Sequence, residues 1–348
     1  MAEIDILETI PKIRMLMMEA HGAGVLRLTE GAAAVGQGLC SCRSPEELRD
    51  IKPLPEKVYL KDAGLLEFTS NPTGKRLDQK IAVVTGSAQG FGRGIAEEMA
   101  KNGAYVMIAD LNAELARKSS EEINAICGAG VTAAVKVDVS DEASVINMYE
   151  ETVRRFGGLD ILVSNAGVLK AGSLDEMDVK SFEFVTKVNY TAYFICVKHA
   201  SRVMRAQYAM NTAYYTDIIQ INSKSGLEGS NKNFAYAGGK FGGVGLTQSF
   251  AKELVPYNIK VNAICPGNLL GGPLWTDPEK GLFVQYLRAG KVKGAQTVDD
   301  VRKYYESRVP MGRGCEIIDV ARAIYYVVEQ QYETGQAIPV TGGQVMLS

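Results

Sequence analysis

Apolar residues gather into short runs along most of the chain: Ile81–Thr85, Tyr105–Ala109, Val131–Val137, Ile161–Val163, Ile218–Ile221, Ile259–Ile264 and Ala337–Val340. Runs this short, bounded by turn residues and rich in Val and Ile, are the pattern of strands buried on both faces. Segments with helical spacing lie between them. Gly94–Lys101 is amphipathic and stops at Asn102-Gly103, where glycine accepts the left-handed conformation that ends a helix. This alternation predicts an α/β domain from about residue 79 to 348, a doubly wound sheet of seven parallel strands with crossover helices.

Residues 1–78 follow another pattern. Ile6–Met18 has helical apolar spacing and a Met stripe at Met15, Met17 and Met18, suited to core or subunit packing. Gly22–Gly38 is rich in Gly and Ala, Pro45–Leu48 suits a short helix, and Asn71-Pro72-Thr73-Gly74 reads as a linker. The expectation is a small, mainly helical N-terminal extension, leaning on the main domain or on a neighbouring subunit because so short a segment buries a marginal core.

Composition narrows the classes. A formal charge of −2 from 38 basic and 40 acidic side chains, with no block of like charges, gives no footprint for nucleic acid or an anionic membrane. Met1–Pro11 carries Glu3, Asp5 and Glu8 and does not read as a secretory signal, and no apolar stretch approaches the ~20 residues of a membrane span. Six scattered cysteines suit a reducing cytoplasm better than a disulfide framework. Cys40 and Cys42 have no second pair, and the two histidines, His21 and His199, are far apart, so no metal site is expected.

The chemistry begins at Thr85-Gly86-Ser87-Ala88-Gln89-Gly90-Phe91-Gly92, between the first strand and the first helix of the main domain. Glycines there let the backbone approach a pyrophosphate at a helix N-terminus. Asp110 ends the next strand, where a carboxylate can bind both hydroxyls of an adenosine ribose and repel a 2′-phosphate, which favours NAD over NADP. Its plainer role is as a cap for the stretch from Asn112. Tyr236 and Lys240 share a helix face, and Ser223 lies thirteen residues before Tyr236, at the end of a strand.

With these residues the sequence resembles the short-chain dehydrogenase/reductase family over about residues 78–348. Further motifs match in order: Asp138-Val139 (adenine pocket), Asn165-Ala166-Gly167 (fourth strand end), Asn189 (mid-helix) and Pro266-Gly267 (after the sixth strand). The spacing of Gly86, Gly90 and Gly92 resembles the oxidoreductase branch more than the epimerase and dehydratase branch. The stretches Ile218–Gly226, Phe241–Ser249, Gly267–Leu270, Val309–Cys315 and Thr334–Met346 resemble sorbitol-6-phosphate 2-dehydrogenases and related sugar-alcohol dehydrogenases. Ala206–Thr216 looks like an insertion, and Leu227-Glu228 puts an acid near the expected substrate mouth.

The resemblance implies a Rossmann fold and hydride transfer with NAD. Asn189, Ser223, Tyr236 and Lys240 are the implied catalytic set, and Gly86, Gln89, Gly90, Phe91, Gly92, Asp110, Leu111, Asp138, Val139, Asn165, Ala166, Gly167, Tyr236, Lys240, Pro266 and Gly267 the implied cofactor contacts. Tyr236 would be the acid/base, its pKa of ~10 lowered by the Lys240 cation. Ser223 would hold the substrate oxygen, and Asn189 would anchor a water linking Lys240 to solvent. Ser223, Lys224 and Tyr236 are expected to contact a sugar alcohol under a lid at about 268–314, with Lys224 meeting any phosphate. Trp275, Phe283, Tyr286, Arg288, Lys291 and Lys293 fall in that lid, while Arg313 reads as structural support. The glycines of the Tyr236 helix (Gly238, Gly239, Gly242, Gly243 and Gly245) suggest close packing against a symmetry mate in a dimer or tetramer. An unphosphorylated alcohol as substrate, or a non-catalytic NAD sensor, are the alternatives.

Overall fold

Val, Ile and Ala dominate the central strands, and these strands have almost no polar side to turn to water. All five residues of β5 (Ile81–Thr85) and all eight of β10 (Ile259–Pro266) are buried, so both faces of the sheet need covering. A computed structural model describes residues 4–31, 39–288 and 290–346, the side chains of residues 273 and 274 excepted. After β5 come α2 (Gly90–Lys101), β6 (Tyr105–Asp110), α3 (Ala113–Cys127), β7 (Thr132–Lys136), α4 (Glu142–Phe156) and β8 (Ile161–Ser164). Then follow α5 (Val179–Thr186), α6 (Ala192–Tyr208), β9 (Thr216–Ile221), α7 (Phe234–Leu254) and β10. The short helices α8 (Pro273–Thr276), α9 (Leu282–Arg288) and α10 (Val298–Ser307) precede α11 (Ile317–Glu329) and β11 (Ala337–Val340).

The strands form one parallel sheet in the order β11-β10-β9-β8-β5-β6-β7. One core joins the sheet to α4, α6 and α7, and a second joins it to α2, α3 and α11. The strand order reverses between β5 and β8, and in such sheets ligands bind beyond the strand C-termini at that crevice. No described helix is long and apolar enough to cross a membrane. All six cysteines are free.

The extension corrects one expectation. Its helix is there, α1 (Ile6–His21), and Pro45–Leu48 forms a single 3₁₀ turn. But β1 (Val25–Glu30), β2 (Cys40–Cys42), β3 (Lys57–Leu60) and β4 (Gly64–Thr69) build a four-stranded sheet in the order β1-β4-β3-β2, so the segment is mixed rather than mainly helical. The strands are short, and Leu65 on the outer side of β4 blurs the alternation that buries Leu66 and Phe68. Residues 32–38, the end of the Gly/Ala-rich stretch, lie outside the described residues.

Leu7, Ile10, Ile13, Met17 and Leu26 of the extension join the core that contains α4 and α6. Arg14, fully buried, locks the junction: its Nη1 and Nη2 donate to the two Asp160 oxygens at 2.9 Å each, and its Nε donates to Gly24 O at 2.9 Å. Asp160 also accepts from the Ile81 amide at 2.8 Å. Met15 and Met17 are buried, so the Met stripe belongs to this packing.

The helix glycines also find partners within the chain. A Cβ on Gly242 would sit 2.7 Å from the Tyr190 ring, and one on Gly243 would sit 2.5 Å from the Gln220 amide. Gly242 and Gly243 are therefore required by packing inside this chain, whereas Gly238 and Gly245 face open space.

Candidate active site

The glycine turn is shaped by close approach. Gly86 has φ +64°, and a Cβ there would lie 2.8 Å from Ala166 Cα; on Gly92 it would lie 2.1 Å from Gly86 O. Asn165 clamps the turn, its side-chain amide donating to Thr85 O at 2.9 Å and Gly86 O at 3.0 Å. Ser87 ties the turn to both neighbours, its hydroxyl donating to Val84 O at 2.6 Å and accepting from the Ala109 amide at 3.0 Å. Gly90, at φ +61°, starts α2 with nothing within 4 Å of where a Cβ would be, and Gln89 before it makes no side-chain cap bond. The first turn of α2 thus has no side-chain cap, and its leading amides are left to bind an anion, an arrangement that fits a diphosphate.

Asp110 stands at the end of β6, half-buried. Its Oδ2 accepts from the Ala88 amide and its Oδ1 from the Asn112 amide, both at 3.0 Å. Asn112, not Asp110, caps α3. Leu111 is exposed beside it. Asp138 turns its carboxylate to the Ser140 amide and hydroxyl at 2.9 and 2.8 Å, bonds that hold its pKa below the ordinary value, while Val139 is buried.

At the adjacent strand ends Ser223, Tyr236 and Lys240 line one cleft with Gln89, Gly90 and Gly267. Ser223 Oγ accepts from the Ser225 amide at 3.1 Å, capping a 3₁₀ turn, so its hydroxyl proton can turn toward Tyr236. Asn222 holds this loop on α7: its Nδ2 donates to Lys240 O at 2.9 Å and its Oδ1 accepts from the Ser223 amide at 2.8 Å. The sequence reading did not single out Asn222, and no local spacing marks it. Lys240 is buried and donates to Ile221 O at 2.9 Å.

The electrostatics differ from the expectation that the Lys240 cation lowers the pKa of Tyr236. Burial dominates both groups. It raises Tyr236, against a Ser223 hydrogen bond that pulls it down, and it lowers Lys240 to about 8. Lys240 Nζ lies 5.6 Å from the Tyr236 ring centroid, and its own ammonium is disfavoured by desolvation.

Asn189 sits on a π turn, Lys187–Thr191, where a bulge replaces regular helix. Its amide donates to Val168 O at 2.7 Å and Val185 O at 3.0 Å, and its Oδ1 accepts from the Val168 amide at 3.1 Å. A void of about 10 Å³ lies between Asn189, Gln220 and Lys240, about the volume of one water probe.

The cleft measures about 570 Å³. Of the implied cofactor residues, Gln89, Gly90, Phe91, Asn165, Gly167, Tyr236, Lys240, Pro266 and Gly267 line it; Gly86 and Gly92 shape its turn, and Ala166 and Val139 border the small void. Asp110, Leu111 and Asp138 stand at the ends of the two strands beyond it. Lys224 lines it, whereas Glu228 is exposed and does not. Across the cleft the lid brings Trp275, Tyr286 and Tyr305, with ring centroids 5.0 Å apart for Trp275–Tyr305 and 5.9 Å for Trp275–Tyr286. Tyr305 was not singled out in the sequence. Lys291 lies over the Tyr286 ring at 4.1 Å, and Arg313 pairs with Asp319 at 2.7 and 3.0 Å. Among the described residues no three His, Cys, Asp or Glu side chains cluster as metal ligands would.

Residues 80–277 match the short chain dehydrogenase family. The chain belongs to that family. It is 36% identical over 269 residues to sorbitol-6-phosphate 2-dehydrogenase of Escherichia coli, spanning 77% of this chain and 99% of that protein. The crystal structure of sorbitol-6-phosphate 2-dehydrogenase SrlD from Erwinia amylovora superposes with a TM-score of 0.70 at 39% identity, over 76% of this chain and all of that one. The Pseudomonas aeruginosa RhlG/NADP active-site complex superposes at 0.65 and 26% identity, over 77% of this chain and 97% of that one. The fold is thus that of a short-chain dehydrogenase/reductase, an oxidoreductase family that uses nicotinamide cofactors, with the extension added before it.

Proposed function

We propose that the protein interconverts a sugar alcohol, sorbitol 6-phosphate or a similar polyol phosphate, with its ketose, using NAD(H), and that Tyr236 is the acid/base. The observation that carries this reading is the meeting of Ser223, Tyr236 and Lys240 in one cleft with the uncapped N-terminus of α2. A nicotinamide dinucleotide in that cleft would supply the carbon that takes or gives the hydride. Gly86, Gly90, Gly92 and the first amides of α2 hold its phosphates, and Asp110 selects an unphosphorylated adenosine ribose. Asp138, Val139 and Leu111 flank the adenine, and Asn165, Ala166, Gly167, Pro266 and Gly267 shape the nicotinamide end.

Ser223 turns its hydroxyl proton from Tyr236 to the substrate oxygen and orients it. Tyr236 takes the hydroxyl proton in oxidation and returns it in reduction. A phenol held above its ordinary value is protonated at neutral pH, which suits the ketone-reducing direction. Lys240 bonds the nicotinamide ribose and passes the proton to a water anchored at Asn189, which links it to solvent. Lys224 meets the substrate phosphate.

Similarity to the two sorbitol-6-phosphate dehydrogenases supports the substrate class. A second reading, an unphosphorylated polyol or other secondary alcohol, is favoured by the lid: Trp275, Tyr286 and Tyr305 face the cleft, and Lys224 is the one described lining cation besides Lys240. We also propose a cytoplasmic homo-oligomer, a dimer or tetramer, since Phe184, Phe194 and Phe241 are exposed on α5, the α6 start and α7.

The test is NAD reduction with sorbitol 6-phosphate and sorbitol side by side. A hundredfold preference for the phosphate in kcat/KM, about 2.7 kcal/mol, is expected. Equal rates would move the assignment to the unphosphorylated alcohol. Turnover of neither would discard the substrate class.

A further inference from the structure

The extension covers α4 and α6 and also borders a groove. Where its edge strand β1 meets the edge of the main sheet, this groove of about 460 Å³ opens, separate from the substrate cleft. Its walls carry Arg27 from β1, Arg117 from α3, Lys136 from the end of β7 and Arg155 from the last turn of α4, against a single carboxylate, Glu121. Glu121 is already paired with Arg117 at 3.1 Å. Four cations against one anion is an excess of charge in a chain whose formal net charge is −2.

Arg27 is held rather than free. Its Nη2 donates to Gly130 O at 3.4 Å, while its Nε is buried without a hydrogen-bond partner among the described residues. A buried guanidinium N–H left unpaired is costly and is normally matched by an acceptor. Arg154 and Arg155 make the contrast: Arg154 is bound by Glu30, Glu150 and Glu151, whereas its neighbour, lining the groove, pairs with no described carboxylate. Three guanidinium groups and an ammonium around a concavity of this size present the donors that phosphate oxygens take.

We propose that this groove is a second ligand site, for a small molecule carrying two or more phosphate groups, and that the extension creates it by supplying Arg27. The ligand would bridge the extension to α3, α4 and β7. Lys136 is paired in register with Asp110, so the site begins one strand away from the proposed ribose carboxylate without sharing a residue with the cleft.

The experiment is calorimetric titration of the full chain with pyrophosphate, in saturating NADH or NADPH so that the glycine turn is filled, with sulfate at matched ionic strength as control. Saturable binding of pyrophosphate is expected, weakened at least tenfold in Arg27→Gln and in the exposed pair Lys136→Gln/Arg155→Gln, with turnover unchanged in both. The surface pair keeps the test valid should Arg27→Gln perturb folding. The proposal is overturned if pyrophosphate binds no better than sulfate, or if the surface pair binds it as tightly as the wild type. Failure here leaves the dehydrogenase reading intact, because activity is measured in the same samples.

Discussion

Two buried sites at opposite ends of the main sheet, the Arg14–Asp160 pair and Lys240, handle charge in opposite ways. At the N-terminal end Arg14 and Asp160 meet as a fully buried bidentate pair. Nearby, a single 2.9 Å contact to Lys260 is not enough for Asp217, which burial raises to about 6. Arg14 and its neighbours hold Asp160 below its ordinary value, against the burial that would raise it. At the C-terminal end Lys240 is as deeply buried, yet its hydrogen-bond partner is the Ile221 carbonyl, not a carboxylate. Burial with a matched counter-charge makes a rigid junction. Where desolvation outweighs the partner, as at Asp217, or meets none, as at Lys240, the pKa shifts toward neutrality, and only Lys240 of the two lies in the cleft where acid/base chemistry can use it.

The sharpest way to break the contrast is to orphan one partner of the closed end. Arg14→Met removes the bidentate partner of Asp160, leaving only the more weakly acting Lys80 charge, and should cost about 3–5 kcal/mol in urea unfolding. Turnover measured under folding conditions should be retained, because Asp160 precedes β8 and the cleft lies beyond its other end. Adding Asp160→Asn should recover part of the loss; no recovery would mean that the pair is not what holds the extension.

The open end is probed by pH. Lys240, lowered from 10.5 to about 8, disfavours the fold below pH 8, and the penalty disappears as pH rises from about 8 to 10.5. The shift corresponds to about 3 kcal/mol. Relative to wild type, Lys240→Met should gain most stability at pH 7 and progressively less toward pH 10. A stability difference independent of pH would contradict the buried, unpaired ammonium. A smaller effect is expected at Asp110: Asp110→Ala should reduce the preference for NAD over NADP about tenfold, or about 1.4 kcal/mol. A wild type that already favours NADPH would refute the assignment.

How much of this was legible in the sequence follows from distance along the chain. The strands were readable because each is a local apolar run, and the glycine turn, Ser223 and the Tyr236–Lys240 pair because their geometry depends on short spacings. Arg14 and Asp160 are 146 positions apart, and nothing near either names the other. The small sheet of the extension escaped for a related reason, since its strands pair across loops and alternate only weakly. The grip of Asn222 on the Lys240 carbonyl spans 18 positions and carries no motif. The direction of the Tyr236 shift was misjudged because spacing shows that a cation is near but not how far both groups are desolvated.

The most direct test of the central claim is Tyr236→Phe, assayed for turnover and for NADH binding by fluorescence. The account predicts a fall in kcat of roughly 10²–10⁴, the range for a lost acid/base group, with NADH affinity nearly unchanged. Turnover that survives the substitution would show that the cleft does not use Tyr236 and would contradict the assignment of chemistry to this end of the sheet.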